Sequence, residues 1–136
     1  LGLGDAFLHI NTLDSMLFIN QGGHFEAVAL PDLAQHTPIP HLVTADFNQD
    51  GDPDLFIAQN WESTPEHVGA INAGQGLVLL GGVGSTFEPL SSIASGIRID
   101  AEQQGVWAGD ANGDQRPDLW IQHPGTIELY LNQHGL

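Results

Sequence analysis

Cysteine and lysine are both absent from this chain of 136 residues, and only two arginines, Arg98 and Arg116, oppose 17 acidic side chains. Without cysteine there is no disulfide framework and no thiolate metal site. With a formal net charge of −15 and almost no basic side chain, the chain lacks what a phosphate-backbone binder needs, which excludes nucleic acid as a partner and disfavours anionic membrane surfaces. Long apolar runs are missing too. The most hydrophobic stretch, Gly76 to Gly84, is far too short to span a bilayer. The chain begins at Leu1 rather than Met and carries no signal-peptide pattern, which reads as a processed product or an excised piece.

What the chain does have is a pair of acidic loops 64 residues apart. The first runs Asp46-Phe-Asn48-Gln-Asp50-Gly51-Asp52-Pro-Asp54-Leu55, the second Asp110-Ala-Asn112-Gly-Asp114-Gln115-Arg116-Pro-Asp118-Leu119. Each sets oxygen-bearing side chains at positions 1, 3, 5 and 9, then turns apolar. Carboxylates crowded this closely repel one another unless a cation offsets them. Calcium takes six to eight oxygen ligands, and alternate residues of a short loop can supply them. Seven of the acids lie in these loops, so bound metal would offset part of the charge excess.

The loops also mark an internal repeat. His41 to Ala45 precedes the first and Leu55 to Gln59 follows it; Gly105 to Gly109 and Leu119 to Gln122 flank the second. A second kind of unit recurs as Ser15 to Asn20, a Gly-rich turn, then Phe25-Glu-Ala-Val28; as Gln75 to Leu80, Gly81 to Gly84, then Phe87-Glu-Pro-Leu90; and as Glu128 to Asn132 before Gln133-His-Gly135. Short runs of Val, Ile, Leu, Phe and Trp punctuated by Gly, Pro and Asn indicate β-structure. No stretch of useful length has helical periodicity, and Ser92 to Gly105 reads as a connector. The expected fold is all-β: four antiparallel strands per repeat, the unit of a β-propeller blade. Gly4 to Ile10 aligns with Gly51 to Ile57, but Phe7 falls where a ligand should be, so no metal is expected there. The division is a partial blade over 1–40, a blade over 41–104 and a partial blade over 105–136. About two and a half repeats compare with four to eight blades in closed propellers, which predicts a segment of a larger propeller or one completed by another chain.

At these residues the chain resembles the FG-GAP/VCBS repeat family, found in the propeller heads of integrin α-subunits and in secreted bacterial proteins. Ala45 to Leu55, Gly109 to Asp114 and Asp118-Leu119 carry the likeness. Ser95-Gly96-Ile97 resembles the connector between blades, and Leu129-Tyr130-Leu131-Asn132 the third strand of bacterial relatives of the cartilage-acidic-protein group. The resemblance implies one Ca2+ per loop, two in all, held by positions 1, 3, 5 and 9 and by the carbonyl of position 7. Carried over, the ligands are Asp46, Asn48, Asp50, Asp54 and the carbonyl of Asp52, then Asp110, Asn112, Asp114, Asp118 and the carbonyl of Arg116. An EF-hand would close with an acid at position 12, where this chain has Ile57 and Ile121. Position 6 calls for a left-handed backbone, natural for Gly51 and strained for Gln115; with Arg116 alongside, loop two is expected to bind more weakly.

Other constellations carry less. The seven histidines (9, 24, 36, 41, 67, 123 and 134) show no H-x-H or H-E-x-x-H spacing and read as exposed turn residues. Gly81 to Gly84 is a hairpin turn rather than a phosphate cradle. No G-x-S-x-G elbow is present, and Glu62, Glu66, Glu88, Glu102 and Glu128 form no mutual pattern, so no catalytic or cofactor-binding residue is assigned. Trp107 and Trp120 read as packing residues. Trp61 opens an insertion from Asn60 to Gly74 that the repeat does not require, and rim insertions can carry recognition. The expectation is a non-catalytic, calcium-stabilised module, extracellular or periplasmic because calcium is plentiful there, that binds a protein or glycan partner. The alternatives are an architectural repeat in a surface assembly and a scaffold segment of a propeller lyase or hydrolase.

Overall fold

The computed structural model describes residues 9–62, 64, 66–67 and 69–133. Expectations for Phe7, for the rest of 1–8 and for His134-Gly135 lie outside the described residues; His9 and Ile10 carry no strand. Among the described residues the protein is all-β, with nine antiparallel strands in three sheets and almost no helix. The first sheet is the hairpin β1 (Met16–Asn20) and β2 (Phe25–Ala29). The second is a four-stranded meander of β3 (Leu42–Ala45), β4 (Asp54–Ile57), β5 (Leu77–Gly82) and β6 (Thr86–Leu90). The third contains β7 (Gly105–Gly109), β8 (Asp118–His123) and β9 (Thr126–Tyr130).

Successive side chains of a strand point to opposite faces, so a strand buried on both sides reads as continuously apolar. β4 is such a strand: every residue from Asp54 to Asn60 is buried. Leu55 and Ile57 face one way, toward Leu77, Leu79, Ala34 and the flanking Leu30, Ile39 and Phe87. Phe56 faces the other way and joins Val78, Ile97, Ile99, Val106, Leu119 and Ile121 between the second and third sheets. Phe56 and Ile57 are wholly inaccessible. Truncating Phe56 to Ala would cost roughly 3–5 kcal/mol through lost transfer energy and the cavity left behind.

The connector from Ser92 to Gly105 does more than span. Ser91 caps a single turn, α1 (Ser92–Ser95), by accepting from the Ala94 N–H at 3.2 Å, and left-handed Gly96 ends it. The chain then drops Ile97 and Ile99 into the core, with Ile99 N–H bonded to the Gln75 carbonyl at 2.9 Å. A 3-10 turn at Asp32–Gln35 similarly braces the first hairpin: Gln35 holds the Ser15 N–H and the carbonyls of Ser15 and Leu30.

The third sheet pairs its strands in the same register as the first three strands of the second. Ala45 pairs Asp54 as Gly109 pairs Asp118, and Leu55 pairs Leu79 as Leu119 pairs Tyr130. The difference in length falls between the second and third strands. Ala58 to Gly76 makes that connection in the second sheet, against the two-residue turn Pro124-Gly125 in the third. Trp61 and Ile71 exchange backbone hydrogen bonds across the longer connection, and Asn60 anchors its base.

Candidate metal centre

Each acidic loop joins the first two strands of its sheet, β3 to β4 and β7 to β8. In loop one, Asp46 Oδ1 accepts from the Asp50 N–H at 3.1 Å and Oδ2 from the Gly51 N–H at 3.0 Å. Asn48 Oδ1 accepts from the same Asp50 N–H at 3.0 Å, and its Nδ2 donates to Asp50 Oδ2 at 2.8 Å. Asp50 Oδ1 accepts from the Asp52 N–H at 2.8 Å. Loop two reproduces all five of these bonds and adds one from the Gly113 N–H to Asp110 Oδ1 at 2.6 Å. Asp110 Oδ1 and Oδ2 accept from the N–H groups of Asp114 and Gln115 at 3.2 and 2.9 Å. Asn112 Oδ1 accepts from the Asp114 N–H at 3.0 Å, and Nδ2 donates to Asp114 Oδ2 at 3.0 Å. Asp114 Oδ1 accepts from the Arg116 N–H at 2.9 Å.

These bonds hold positions 1, 3 and 5 close together in each loop, since oxygens from positions 1 and 3 share one N–H donor and the position-3 amide donates to the position-5 carboxylate. The donor set is hard oxygen throughout, suited to calcium or magnesium rather than to soft metals. A carboxylate offers about four lone-pair sites, so an oxygen holding one N–H can still face a cation. The residues therefore fit a calcium ion chemically. Among the described residues no three His, Asp or Glu side chains stand gathered as a ready cage. What converges in each loop is two carboxylates and one amide.

Position 9 does something different. Asp54 is fully buried; its Oδ2 accepts from the N–H groups of Phe47 and Asn48 at 2.8 and 3.3 Å, and its Oδ1 from Gly81 at 2.7 Å. Asp118, equally buried, accepts from Ala111 and Asn132 N–H groups, both at 2.8 Å. Charge-assisted bonds of this kind are about twice as strong as neutral ones. The position-9 carboxylate thus fastens the loop to the end of the third strand. Three of the four lone-pair sites on Asp54 are occupied, against two on Asp118.

The electrostatics follow from the same donors. Asp110 is held below the usual carboxylate value, chiefly by the Gln115 N–H and further by those of Gly113, Asp114 and Asn112, while desolvation opposes them. Position 6 is left-handed in both loops: Gly51 has φ +94° and Gln115 +67°. Position 4 is left-handed as well, and there the residue types are reversed, with Gln49 at +60° and Gly113 at +83°. Sequence reasoning saw the strain at Gln115 and missed its counterpart at Gln49. The Arg116 guanidinium donates to the Gln133 carbonyl beyond β9.

Three further residues were not legible as part of the site. A Cβ on Gly81 would lie 2.2 Å from the Pro53 carbonyl oxygen, so only glycine permits this approach of β5 to loop one. Asn132, its register equivalent, donates from Nδ2 to the Phe47 carbonyl at 2.7 Å, and Gln49 Nε2 donates to the Gln115 carbonyl at 3.1 Å. The two loops are therefore in contact.

At the opposite end of the sheets lies a buried polar belt of Gln59, Asn60, Glu102, Gln103 and His123. His123 departs from the exposed-turn expectation: it ends β8 with its ring buried and Nδ1 2.9 Å from the Glu102 carbonyl. A carbonyl only accepts, so Nδ1 carries the proton. Nε2 lies 3.4 Å from Glu128 Oε2 without hydrogen-bond geometry. Asn60 binds the carbonyls of Ile99 and Ala101 and the Gly74 N–H, tying the insertion to the connector. Trp107 is half-exposed and pairs across the sheet with Trp120, which pairs with Leu129. Burial pushes the Tyr130 hydroxyl up to about 12, aided by its bond to Glu128.

A scan against protein-family models gives no match, a search of the curated proteins gives none, and a search of the solved structures gives none.

Proposed function

We propose that the chain is a calcium-stabilised segment of a β-propeller, its three sheets serving as blades, and that it is a non-catalytic extracellular module for protein or glycan binding. The observation that carries this reading is the set of five hydrogen bonds that two loops separated in sequence share, each set drawing together two carboxylates and an amide. A solvated turn needs no such duplication. Asp46, Asn48 and Asp50, and Asp110, Asn112 and Asp114, would hold the ions, with the carbonyls of Asp52 and Arg116. Asp54 and Asp118, whose carboxylates anchor the third strand of each sheet, would add a ligand oxygen only through the lone pairs that their N–H partners leave free. Bound calcium supplies positive charge that relieves carboxylate repulsion and ties two strands of each blade together. The extracellular placement and the partner class rest on the resemblance to FG-GAP/VCBS repeats. The Trp61 insertion, held at its base by Asn60, is the candidate recognition element.

The test is thermal unfolding with calcium and with a chelator at matched ionic strength. An ion that binds only the folded state adds about 2.7 kcal/mol per site at a hundredfold excess over its dissociation constant. The expected result is a midpoint rise of several degrees in calcium; equal midpoints would refute the metal reading.

One observation favours the alternative of an architectural repeat. The Trp107, Trp120 and Leu129 row sits on the third sheet's outer face, where the matching row of the second sheet (Val43, Phe56, Val78) is covered by the third. Size that grows with concentration would support assembly; a constant size would support the adhesion module.

A further inference from the structure

The contacts between the two loops have a consequence for how they would bind. Asp118 Oδ1 holds the Asn132 N–H at 2.8 Å, and the Asn132 side chain holds the Phe47 carbonyl at 2.7 Å. The Phe47 N–H in turn binds Asp54 Oδ2 at 2.8 Å, and Asp54 Oδ1 holds the Gly81 N–H at 2.7 Å. This series runs from the fastening carboxylate of loop two to that of loop one with a single residue at each step. A second contact, Gln49 Nε2 to the Gln115 carbonyl at 3.1 Å, joins position 4 of one loop to position 6 of the other. Both residues in that contact are left-handed, so the Gln49 side chain holds loop two at a constrained point of its backbone. The second sheet has no equivalent of the Asn132 side chain, because Gly81 occupies its place.

We propose that the two loops act as one coupled pair of calcium sites, joined through Asn132 and Gln49, so that filling loop two raises the affinity of loop one and the reverse. The proposal rests on the calcium reading given above. An ion in loop two orders Asp118 and the Gln115 peptide, and with them Asn132 and Gln49. The Phe47 to Asp50 backbone is then restrained before its own ion arrives, which removes part of the ordering cost of the second binding event. Linkage makes the effect equal in both directions. Repulsion between the ions opposes it weakly. Loop one carries four carboxylates, and loop two three carboxylates and Arg116, so neither becomes net positive with one divalent ion bound. Charges at exposed loops are further screened within about 8 Å at physiological salt.

The experiment is calorimetric titration of calcium into the full chain and three variants: Asp110→Ala, the double variant Gln49→Ala/Asn132→Ala, and all three changes together. Asp110→Ala empties loop two and should weaken loop one at least about fivefold. In the double-variant background the same change should leave loop one within about twofold. Fold integrity is checked from the thermal midpoint in chelator. Gln49→Ala alone, at an exposed side chain, keeps the test decisive if Asp110→Ala does not fold: its Hill coefficient should drop from the wild-type value above unity. Calcium binding at loop one that ignores Asp110→Ala, or that responds equally in both backgrounds, overturns the coupling and leaves the calcium reading intact. A wild-type chain that takes up no calcium overturns both.

Discussion

Loop one and loop two share five internal hydrogen bonds, and loop two adds a sixth from the Gly113 N–H to Asp110 Oδ1 at 2.6 Å; they also distribute strain and anchorage differently. Each needs two left-handed residues, at positions 4 and 6, and each supplies glycine for only one of them. Loop one has Gln49 and Gly51; loop two has Gly113 and Gln115. A non-glycine residue there costs about 1–2 kcal/mol, so the two loops carry similar strain at mirrored points. The weaker binding expected of loop two therefore cannot rest on Gln115. The remaining difference is position 7, Asp52 against Arg116, and the Arg116 guanidinium reaches away to the Gln133 carbonyl, which lessens its repulsion of a cation in the loop. Anchorage differs more than strain does. The Asp54 carboxylate collects three N–H groups and meets a glycine strand end, whereas Asp118 collects two and meets an asparagine that reaches across to the other loop.

The sharpest way to break this comparison is to remove the two fastening carboxylates. Each buried N–H left without a partner costs about 1–3 kcal/mol. Asp54→Ala should lower unfolding free energy by roughly 4 kcal/mol or more and Asp118→Ala by less. Urea denaturation in chelator reads this without any contribution from metal; equal losses would show that the third N–H on Asp54 contributes nothing. Next in size are the strand ends. Gly81→Ala drives a methyl into the Pro53 carbonyl and should cost about 2–3 kcal/mol, since backbone cannot yield cheaply. Asn132→Ala loses one side-chain hydrogen bond and should cost about 1 kcal/mol.

Glycine exchanges test the mirrored strain. Gln49→Gly and Gln115→Gly should each stabilise by about 0.5–1 kcal/mol, while Gly51→Ala and Gly113→Ala should destabilise by about as much. A gain at Gln115 alone would restore the asymmetry inferred from sequence. The smallest effect concerns acid. The Asp110 carboxyl lies below its ordinary value of 3.8 in the fold. Its contribution is thus fully present above that value and is lost as pH falls through the lower, folded one. Asp110→Asn should lower the neutral-pH plateau of the stability curve slightly and flatten the acid limb below about pH 3.8, so that variant and wild type converge in acid; an unaltered acid limb would show that the Gln115 N–H does not favour the ionised form.

Much of the second and third sheets was legible because their strands are short and apolar and their loops carry Gly, Pro, Asn and Asp at fixed offsets. Leu55 to Ile57 and Leu119 to Ile121 announce buried strands, and the loops announce their own turns through side chains that bond backbone two to five residues away. The connector was not legible in the same way. Ile97 and Ile99 look like any apolar pair in a loop, and only the space between the second and third sheets makes them core. His123 looked like one of seven scattered histidines because nothing near it in sequence supplies the Glu102 carbonyl that orients it. Gly81 reads as one more turn glycine, although its role is close approach to Pro53.

The sequence by itself determined what local chemistry determines: an acidic, cysteine-free, all-β chain with two oxygen-rich loops whose Asp and Asn side chains fold back on their own N–H groups. Those bonds span only a few residues, so composition and spacing suffice. Tertiary structure decided everything that needs two distant segments to meet. It turned position 9 from a loop residue into a buried fastener of the third strand, because Gly81 and Asn132 arrive from another part of the chain. It also set loop one against loop two, because the sheets pack face to face and bring Gln49 and Asn132 within hydrogen-bond reach of partners far away in sequence.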